Sequence, residues 1–388
     1  MSQTAMPTAS PQEYQALISM LDDVFFTSDS PENRRGFMAL LPKLYKKQYA
    51  PWENNYVVRE ADALKAAVGM YVTEVSVAGN DLRCGGIGNV AVTRDCRRKG
   101  YMKQAMDSAM RAMAAAGCDF GELGGHRLRY QYWGFERGGA AIRMEFTRAS
   151  VHHCFGEVDI SDFELIDVAE NSEYLPKLQA LIERAPMYAK HDPAMFYDLL
   201  CSWKTSPRIV LWEGKIVAYF ALHRDGKSMN DFHVFYPAAL PGVLNSIFAL
   251  LPDDTNAFEV SVPLWERNLI AGAQHCAEWL HPDDAGQFTI LNYERTLRAL
   301  LALQCELKKL PDGELIIKIV GACGIETLRL RVENQQSTVE PCDGTPDLTL
   351  PHIEAVRYFT GFTSPERDRP LANAWFPLPM FMYDMDKV

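Results

Sequence analysis

The chain has 388 residues, of which 48% are hydrophobic and 23% are charged, and its formal net charge at pH 7 is −11. A chain of this length exceeds what one hydrophobic core accommodates, so the sequence predicts two or three domains. No apolar run approaches the roughly 20 residues that a membrane-spanning helix needs, and the opening residues lack the basic and apolar regions of a secretory signal. We therefore expect a cytoplasmic protein with no membrane partner.

Cysteine and histidine usage argues against a metal site. The nine cysteines stand singly without a C-x-x-C pair, which argues against a zinc ribbon or a disulfide framework and favours reduced thiols. The nine histidines include no H-E-x-x-H pattern. The adjacent His152 and His153 are expected to point to opposite sides of a strand. We expect no metal ion.

The charge is distributed unevenly along the chain. Residues 1–150 carry 19 Lys and Arg against 16 Asp and Glu, residues 151–290 carry 9 against 20, and residues 291–388 carry 11 against 14. The basic first segment suits an anionic ligand, whereas the acidic middle segment repels nucleic acid and attracts a cationic substrate. An acidic surface that only maintains solubility is the alternative interpretation.

The first segment indicates helices followed by strands. Apolar residues at helical spacing predict a helix over residues 11–25 and a second over 33–47, with a proline inside the second. Runs rich in valine and small residues predict strands, with a hairpin turn at residues 79–81 and a later helix capped by Gly117. The predicted strands are 55–60, 63–79, 82–93 and 118–125, and the later helix is 102–117.

The loop RDCRRKGYM, residues 94–102, is the first candidate site. It joins a predicted strand to a predicted helix and carries four basic residues, of which Arg97, Arg98 and Lys99 directly precede Gly100. Helix N-termini leave about four backbone N–H groups unpaired and carry roughly half a positive charge, so such a junction can hold a pyrophosphate. Glycine lets the backbone approach the oxygens closely. Taken alone, a basic turn of this kind is more often a solvated surface.

Two motifs together resemble the coenzyme A signature of the GNAT superfamily of N-acetyltransferases. Those enzymes carry R-x-x-G-x-G/A before a helix, which Arg97 and Gly100 match, and Y-x-x-x-G-F near the end of the domain, which residues 130–135 match. Met102 stands where most members have glycine or alanine. The resemblance covers residues 1–149 and implies acetyl-CoA as the cosubstrate. The residues that it assigns to the coenzyme are Val90, Val92, Arg97, Arg98, Lys99, Gly100, Tyr101 and Met102.

The remaining segments extend the resemblance to nearly the whole chain. Residues 150–290 show a GNAT-like order of hairpin, strand, helix and strand without an R-x-x-G-x-G loop, so we expect a degenerate GNAT-like domain. These elements are predicted at 208–225, 231–237, 237–252 and 257–264. Residues 291–388 open with a predicted helix at 293–303 and continue through ELIIKIV (314–320) and TLRLRVEN (327–334) to PDLTLPHIEAVRYFTG (346–361), a pattern similar to sterol carrier protein 2 domains. Tandem GNAT and GNAT-like domains followed by such a domain form the architecture of enhanced intracellular survival (Eis) type acetyltransferases. The resemblance therefore implies an α/β fold with mixed α+β sheets.

The resemblance also implies how the chemistry is done. Acetyl transfer to an amine needs an open donor, a base for the ammonium proton and an acid for the departing thiolate. Tyr130 is the implied acid, since a phenol with a pKa of about 10 keeps its proton at neutral pH. The apolar tail, residues 373–388, is expected to be buried and to present the α-carboxylate of Val388 as the base. A water chain as the base, or a tail that is only docked, is the alternative. Backbone N–H groups around Val90 and Val92 would bind the thioester carbonyl.

The implied function is acetyl-CoA-dependent N-acetyl transfer by direct attack of a primary amine, with an aminoglycoside, a polyamine or a lysine side chain as acceptor. Five residues are assigned to the acceptor pocket: Phe25, Phe26, Phe37, His126 and Trp133. The alternative is a non-catalytic protein that senses coenzyme A or binds a lipid through the sterol-carrier-like domain. The resemblance further implies a homo-oligomer, with hexamers known among relatives, and no nucleic-acid partner.

Overall fold

The computed structural model describes residues 7–26, 36–224 and 228–388. Two compact units divide the chain. Unit 1 comprises residues 1–139, 286–380 and 387–388, and unit 2 comprises residues 140–285 and 381–386. The division into three domains after residues 149 and 290 stays a prediction.

Helices and strands occur in both units. The helices, in chain order, are α1 (Tyr14–Phe25), α2 (Gly36–Leu40), α3 (Pro42–Tyr45), α4 (Tyr101–Ala115), α5 (Arg127–Tyr130), α6 (Arg148–Phe155), α7 (Tyr174–Ile182), α8 (Pro193–Leu200), α9 (Leu240–Leu250), α10 (Arg267–Cys276), α11 (Tyr293–Leu307), α12 (His352–Thr360) and α13 (Pro370–Trp375). The strands are β1 (Asn55–Glu60), β2 (Ala63–Val77), β3 (Asn80–Val92), β4 (Phe120–Leu123), β5 (Glu136–Gly138), β6 (Ala141–Thr147), β7 (Phe163–Asp167), β8 (Met187–Ala189), β9 (Thr205–Trp212), β10 (Lys215–His223), β11 (Met229–Val234), β12 (Ala257–Pro263), β13 (Trp279–Asp283), β14 (Gly286–Ile290), β15 (Gly313–Gly321), β16 (Gly324–Glu333), β17 (Gln336–Pro341) and β18 (Leu348–Pro351).

The main sheet of unit 1 runs in the order β1-β2-β3-β4-β14-β5. β1, β2 and β3 form an antiparallel meander, β3 and β4 pair in parallel, and β14 is antiparallel to both β4 and β5. The crossover between the parallel strands is α4, whose small and methionine side chains at Ala105, Ala109 and Met113 are fully buried against the sheet. This arrangement puts the basic loop, residues 94–100, between the carboxyl end of β3 and the first turn of α4.

The structure confirms the predicted strands and the long helix of this unit, but the turn between β2 and β3 lies one residue earlier than predicted. The β2–β3 hairpin turns at Ala78 and Gly79, with φ of 45° and 75°, and Val77 pairs with Asn80. Two consecutive residues with positive φ make the two-residue turn that matches the twist of a hairpin, so the predicted turn at 79–81 was one residue late.

The C-terminal cap of α4 is confirmed at Gly117. This glycine has φ of 68°, its N–H donates to Ala114 O at 3.0 Å, and the N–H of Cys118 donates to Met113 O at 3.2 Å. Both bonds belong to the Schellman arrangement, which satisfies the last carbonyl groups of a helix.

Two predictions about helices are corrected. Residues 33–35, where the second helix was predicted to begin, lie outside the described residues, and the rest divides into α2 and α3 because Pro42 cannot continue α2 and instead begins α3. His152 and His153 lie in α6, not in a strand, so their side chains do not point in opposite directions. Within the described ranges no group of three His, Cys, Asp or Glu side chains could hold a metal ion.

Unit 2 contains two sheets, in the orders β11-β10-β9-β7 and β12-β6-β13. The predicted hairpin, strands and helix of this region are confirmed as β9, β10, β11, α9 and β12, while residue 225 of the predicted hairpin lies outside the described residues. Residues 381–386 are held by side chains of the same unit. Asp231 accepts N–H bonds from Asp384 at 2.7 Å and Met385 at 2.9 Å, and His191 Nε2 lies 2.6 Å from Asp386 Oδ1.

The later part of unit 1 forms a second sheet in the order β17-β16-β15-β18. The helix predicted at 293–303 is confirmed as α11, the segments 314–320 and 327–334 correspond to β15 and β16, and the segment 346–361 contains β18 and α12. Neither β17 nor α13 was predicted. The tail is buried, as expected from its composition, because Trp375, Phe376, Leu378 and Met380 are all almost fully inaccessible to solvent.

In the described part of the chain no helix is both long enough and apolar enough to span a bilayer.

Candidate active site

The candidate site begins where β3 separates from β4. The two strands pair only over residues 84–87 of β3, although β3 continues to Val92. Among the described residues, no strand pairs with this edge of β3 beyond Ile87. The backbone groups of residues 88–92 on this edge are therefore open to a ligand.

A β-bulge interrupts β3 in the open region. Against β2, Gly88 pairs with Gly69 and Ala91 pairs with Ala67, so β3 has one extra residue between these pairs. Asn89 adopts φ of 42°, a conformation that asparagine tolerates better than most residues. The bulge leaves a residue out of the ladder beside Val90, the position at which the sequence predicted donors for a thioester carbonyl.

The side chain of Asn89 fixes the bulge from the side of the early helices. Its Oδ1 accepts a hydrogen bond from the Tyr45 hydroxyl at 2.5 Å, and its Nδ2 donates to Asn55 Oδ1 at 2.8 Å. Tyr45 and Asn55 are almost completely buried, so these polar groups are satisfied without water. No local pattern predicts this contact, since the three residues are distant along the chain.

The N-terminus of α4 faces the same region. Gly100 precedes the helix with φ of 80°, and no heavy atom outside its own neighbours lies within 4 Å of where a Cβ would stand. Its carbonyl accepts the first helical bond, from Gln104 N–H at 3.2 Å. The N–H groups of the first turn are left for an anion.

A cleft of about 710 Å³ joins these features. Its lining includes seven of the eight residues assigned to the coenzyme, Val90, Val92, Arg97, Arg98, Gly100, Tyr101 and Met102, together with Val24, Cys96, Lys103, Arg129, Tyr132 and Trp133. Four side chains of this lining are cationic and none is a carboxylate. The cleft therefore suits an anionic ligand of nucleotide size.

Lys99 is the one assigned residue that does not line the cleft. Its Nζ lies 2.9 Å from Glu60 Oε2, and this ion pair is exposed to solvent. Lys103 and Arg129 take part in the lining although the sequence analysis did not name them. Lys103 could have been predicted from its position in the first turn of α4. Arg129 could not, because it reaches the cleft only by the tertiary placement of α5.

Tyr130 ends α5 and packs beside Trp133, which lines the cleft. Its side chain is buried, its ring packs 2.7 Å from where a Cβ on Gly125 would stand, and its ring centroid lies 6.3 Å from that of Trp133. Burial raises the pKa of Tyr130, against a smaller lowering by Arg129. The phenol therefore holds its proton at neutral pH, although Tyr130 is not among the residues that line the cleft.

Aromatic side chains next to Tyr130 form one wall of the cleft. The indole N–H of Trp133 donates to Asp107 Oδ1 at 2.9 Å, which fixes the ring against α4. The exposed ring of Tyr132 meets Trp133 edge-on at 4.8 Å, and Lys103 Nζ lies 5.2 Å from the Tyr132 centroid. This wall presents flat apolar surface, beside which Lys103 Nζ is paired with Asp107 Oδ2 at 2.6 Å.

The end of the chain lies on the opposite face of β3 from α4. Met113 of α4 fills the space beside Gly85, whereas Val388 fills the space beside Gly86 and Gly88, because alternate residues of a strand face opposite sides. The Val388 carboxyl carbon lies 3.1 Å from where a Cβ on Gly88 would stand. The buried Lys43 holds the preceding residue, since its Nζ donates to Lys387 O at 2.6 Å.

The other residues predicted for the acceptor pocket differ in their exposure to solvent. Phe26 and Phe37 are buried, and their rings pack edge-on at 5.6 Å. Phe25 is 45% exposed and packs on Phe37 at 5.0 Å, while His126 is exposed at the start of α5. Phe37 also contacts Tyr45 at 5.1 Å, so the early aromatic residues reach the β3 bulge through one chain of packed rings.

These features define a domain in which a splayed strand and a helix N-terminus form a basic cleft. A family model described as an acetyltransferase (GNAT) domain matches residues 6–130. Residues 6–130 therefore match a GNAT acetyltransferase domain, and the described residues form a mixed α/β fold with several sheets.

Several solved structures share the fold over the whole chain. A GCN5-related N-acetyltransferase from Anabaena variabilis is 15% identical, with 98% of this chain and 99% of that chain covered and a TM-score of 0.70. One from Kribbella flavida is 13% identical, with 97% of each chain covered and a TM-score of 0.67. Eis1 from Mycobacterium abscessus is 13% identical, with both chains covered completely and a TM-score of 0.65. At these identities the likeness shows the fold alone. A sequence search of curated proteins gives no match.

Proposed function

We propose that the protein is an acetyl-CoA-dependent N-acetyltransferase of the Eis type that acts on a primary amine of an aminoglycoside, a polyamine or a lysine side chain. The observation that carries the proposal is the position of the chain terminus. The carboxyl group of Val388 lies over Gly88, the residue immediately before the bulge at Asn89. A carboxylate and an open strand edge therefore meet in one unit.

The cleft residues fit the coenzyme. Open space at Gly100 and the free N–H groups of the first turn of α4 suit a pyrophosphate, and Arg97 and Arg98 add positive charge beside them. The unpaired edge of β3 beyond Ile87 supports a role for backbone N–H groups near Val90 in binding a carbonyl oxygen. When bound, the coenzyme supplies an acetyl group activated as a thioester.

Two groups of the chain handle the protons. The Val388 α-carboxylate, with an ordinary pKa of about 3.5, is ionised at pH 7 and can take a proton from the substrate ammonium directly or through water. The Tyr130 hydroxyl keeps its proton because burial raises its pKa, so it can donate a hydrogen bond to a developing thiolate. Acid and base are thus separate groups, as direct transfer requires.

The test is acetyl-CoA turnover with a panel of polyamines, aminoglycosides and lysine peptides. We expect turnover by the wild type that falls at least about tenfold in Tyr130→Phe and in a chain lacking Val388. Coenzyme binding by calorimetry is the control and should stay within about twofold. Absence of turnover with every acceptor, despite tight coenzyme binding, would favour a non-catalytic coenzyme sensor instead. The homo-oligomer and the cytoplasmic location stay predictions, the first open to light scattering.

A further inference from the structure

Helix α12 meets the motif that contains Tyr130 at Gly134. Gly134 has φ of 86°, and His352 Nε2 lies 2.6 Å from where its Cβ would stand and 3.1 Å from its carbonyl oxygen. Only glycine leaves room for the imidazole at this point. The first residue of α12 therefore contacts the main chain four residues after Tyr130.

The hydrogen bonds of His352 determine its tautomer. Ala322 N–H donates to Nδ1 at 3.2 Å, so Nδ1 is an acceptor and Nε2 carries the hydrogen. That hydrogen is donated to Gly134 O at 3.1 Å or to Thr289 Oγ1 at 2.9 Å. The Tyr293 hydroxyl also lies within hydrogen-bonding distance of Nδ1, at 3.1 Å. Burial lowers the pKa of His352, which favours the neutral ring that these bonds require.

A second contact from α12 reaches the same segment through Glu136. The Glu136 side chain is 1% exposed and accepts hydrogen bonds from Arg357 Nη2 at 2.6 Å, Arg127 Nη2 at 2.6 Å and Gln131 Nε2 at 2.8 Å. Burial alone would raise the pKa of Glu136, but the bonds from Arg127 and Arg357 lower it to about 2. Glu136 is therefore ionised, and its charge is shared between two guanidinium groups.

These contacts surround α5, a helix that is too short to be stable on its own. α5 has four residues, beginning at Arg127 and ending at Tyr130, and a helix of one turn is unstable without tertiary support. Arg127 and Gln131 are tied to Glu136, and Gly134 is tied to His352. His352 and Arg357, which lie more than 200 positions away along the chain, therefore contact the segment that follows Tyr130.

We propose that His352 and Arg357 are positioning residues for Tyr130, which makes the last segment of unit 1 part of the catalytic apparatus. This inference rests on the proposed function, in which the Tyr130 hydroxyl meets the departing sulfur. A displacement of about 1 Å in a reacting group can cost about 10²-fold in rate. Loss of either contact should therefore lower kcat far more than it changes coenzyme affinity.

Matched variants separate positioning from simple stability. His352→Asn keeps an acceptor for Ala322 but cannot reach Gly134, whereas His352→Gln extends an amide N–H toward it. Arg357→Gln removes the charge that faces Glu136, whereas Arg357→Lys keeps it. We expect kcat to fall about tenfold to hundredfold in His352→Asn and Arg357→Gln, with KM for acetyl-CoA within about threefold of wild type. The two conservative variants should recover most of the lost kcat.

Fluorine NMR of protein labelled with 5-fluorotryptophan gives a readout that does not depend on turnover. Trp133 lies between Tyr130 and Gly134, and its resonance is assigned by Trp133→Phe. We expect this resonance to shift or broaden in His352→Asn and Arg357→Gln and to stay near its wild-type position in the conservative variants. An unchanged resonance together with an unchanged kcat would overturn the inference while leaving the proposed function intact. A displaced resonance in a protein without turnover on any amine would support the positioning and reject the function.

Discussion

The substitution Gly86→Ala offers a local test of the role of the chain terminus. A Cβ at residue 86 would lie 2.6 Å from Val388 Cγ2 and 3.2 Å from its Cγ1. Carbon atoms in contact prefer about 3.5 to 4.0 Å, so the valine side chain must retreat by roughly 1 Å. Gly86 does not have positive φ, so alanine adds no backbone strain.

The expected effect follows from that displacement. If the Val388 carboxylate is the base, moving it by about 1 Å should lower kcat by about 10²-fold. KM for acetyl-CoA should change little, because the residues that line the basic cleft are untouched. Stability should fall by about 1 to 3 kcal/mol, because the added methyl group overpacks the site, and the restriction of the unfolded chain by alanine offsets only part of this cost.

A second substitution should reverse the effect. Val388→Ala removes both methyl groups that would clash yet keeps the terminal carboxylate, so Gly86→Ala combined with Val388→Ala should recover most of the wild-type kcat. Steady-state coenzyme release with the best amine of the panel measures all four proteins. Gly124→Ala is the control, because no heavy atom lies within 4 Å of its Cβ position. Equal kcat in Gly86→Ala and wild type, or no recovery in the double variant, would refute the reasoning.

Three further predictions concern the acid, the cleft and the buried carboxylate. Tyr130→Phe should lower kcat by about 10²- to 10⁴-fold and remove the alkaline limb of the kcat profile, and an unchanged profile would exclude Tyr130 as the acid. Arg97→Ala should raise KM for acetyl-CoA several-fold, more at low than at high salt, whereas Lys99→Ala, which breaks an exposed pair with Glu60, should not. The pKa of Glu136 is about 2 in the folded chain, against an ordinary value of 4.5. The ionised carboxylate therefore contributes roughly 3 kcal/mol to the free energy of unfolding above pH 4.5, and this contribution is lost as the pH falls toward 2. Urea unfolding between pH 6 and pH 2 should show this loss in the wild type and not in Glu136→Gln, and parallel curves would contradict the assignment.

Local patterns in the sequence predicted the framework of unit 1 well. Runs rich in valine and small residues located β1, β2 and β3, and a glycine with a left-handed conformation ended α4 at the expected position. The basic loop at 94–100 lies at the helix N-terminus as its residue types indicated, since loop chemistry and capping depend on neighbours in the chain.

Features that depend on distant partners could not be predicted in this way. The bulge at Asn89 is held by Tyr45 and Asn55, and the segment after Tyr130 is held by His352 and Arg357. These contacts join residues tens to hundreds of positions apart, and no periodicity records them. The burial of the apolar tail was predictable from composition, whereas its separate attachments in the two units were not.

The central claim is that the terminal carboxylate serves as the base in acetyl transfer to an amine. The most direct measurement is acetyl-CoA turnover by the wild-type chain and by a semisynthetic chain whose Val388 ends in a carboxamide, with coenzyme binding measured in both. We predict turnover by the carboxylate form, a loss of at least about 10²-fold in the carboxamide form, and equal coenzyme affinity. Equal turnover by the two forms would contradict the role of Val388, and tight coenzyme binding without turnover on any amine would contradict the proposed enzyme.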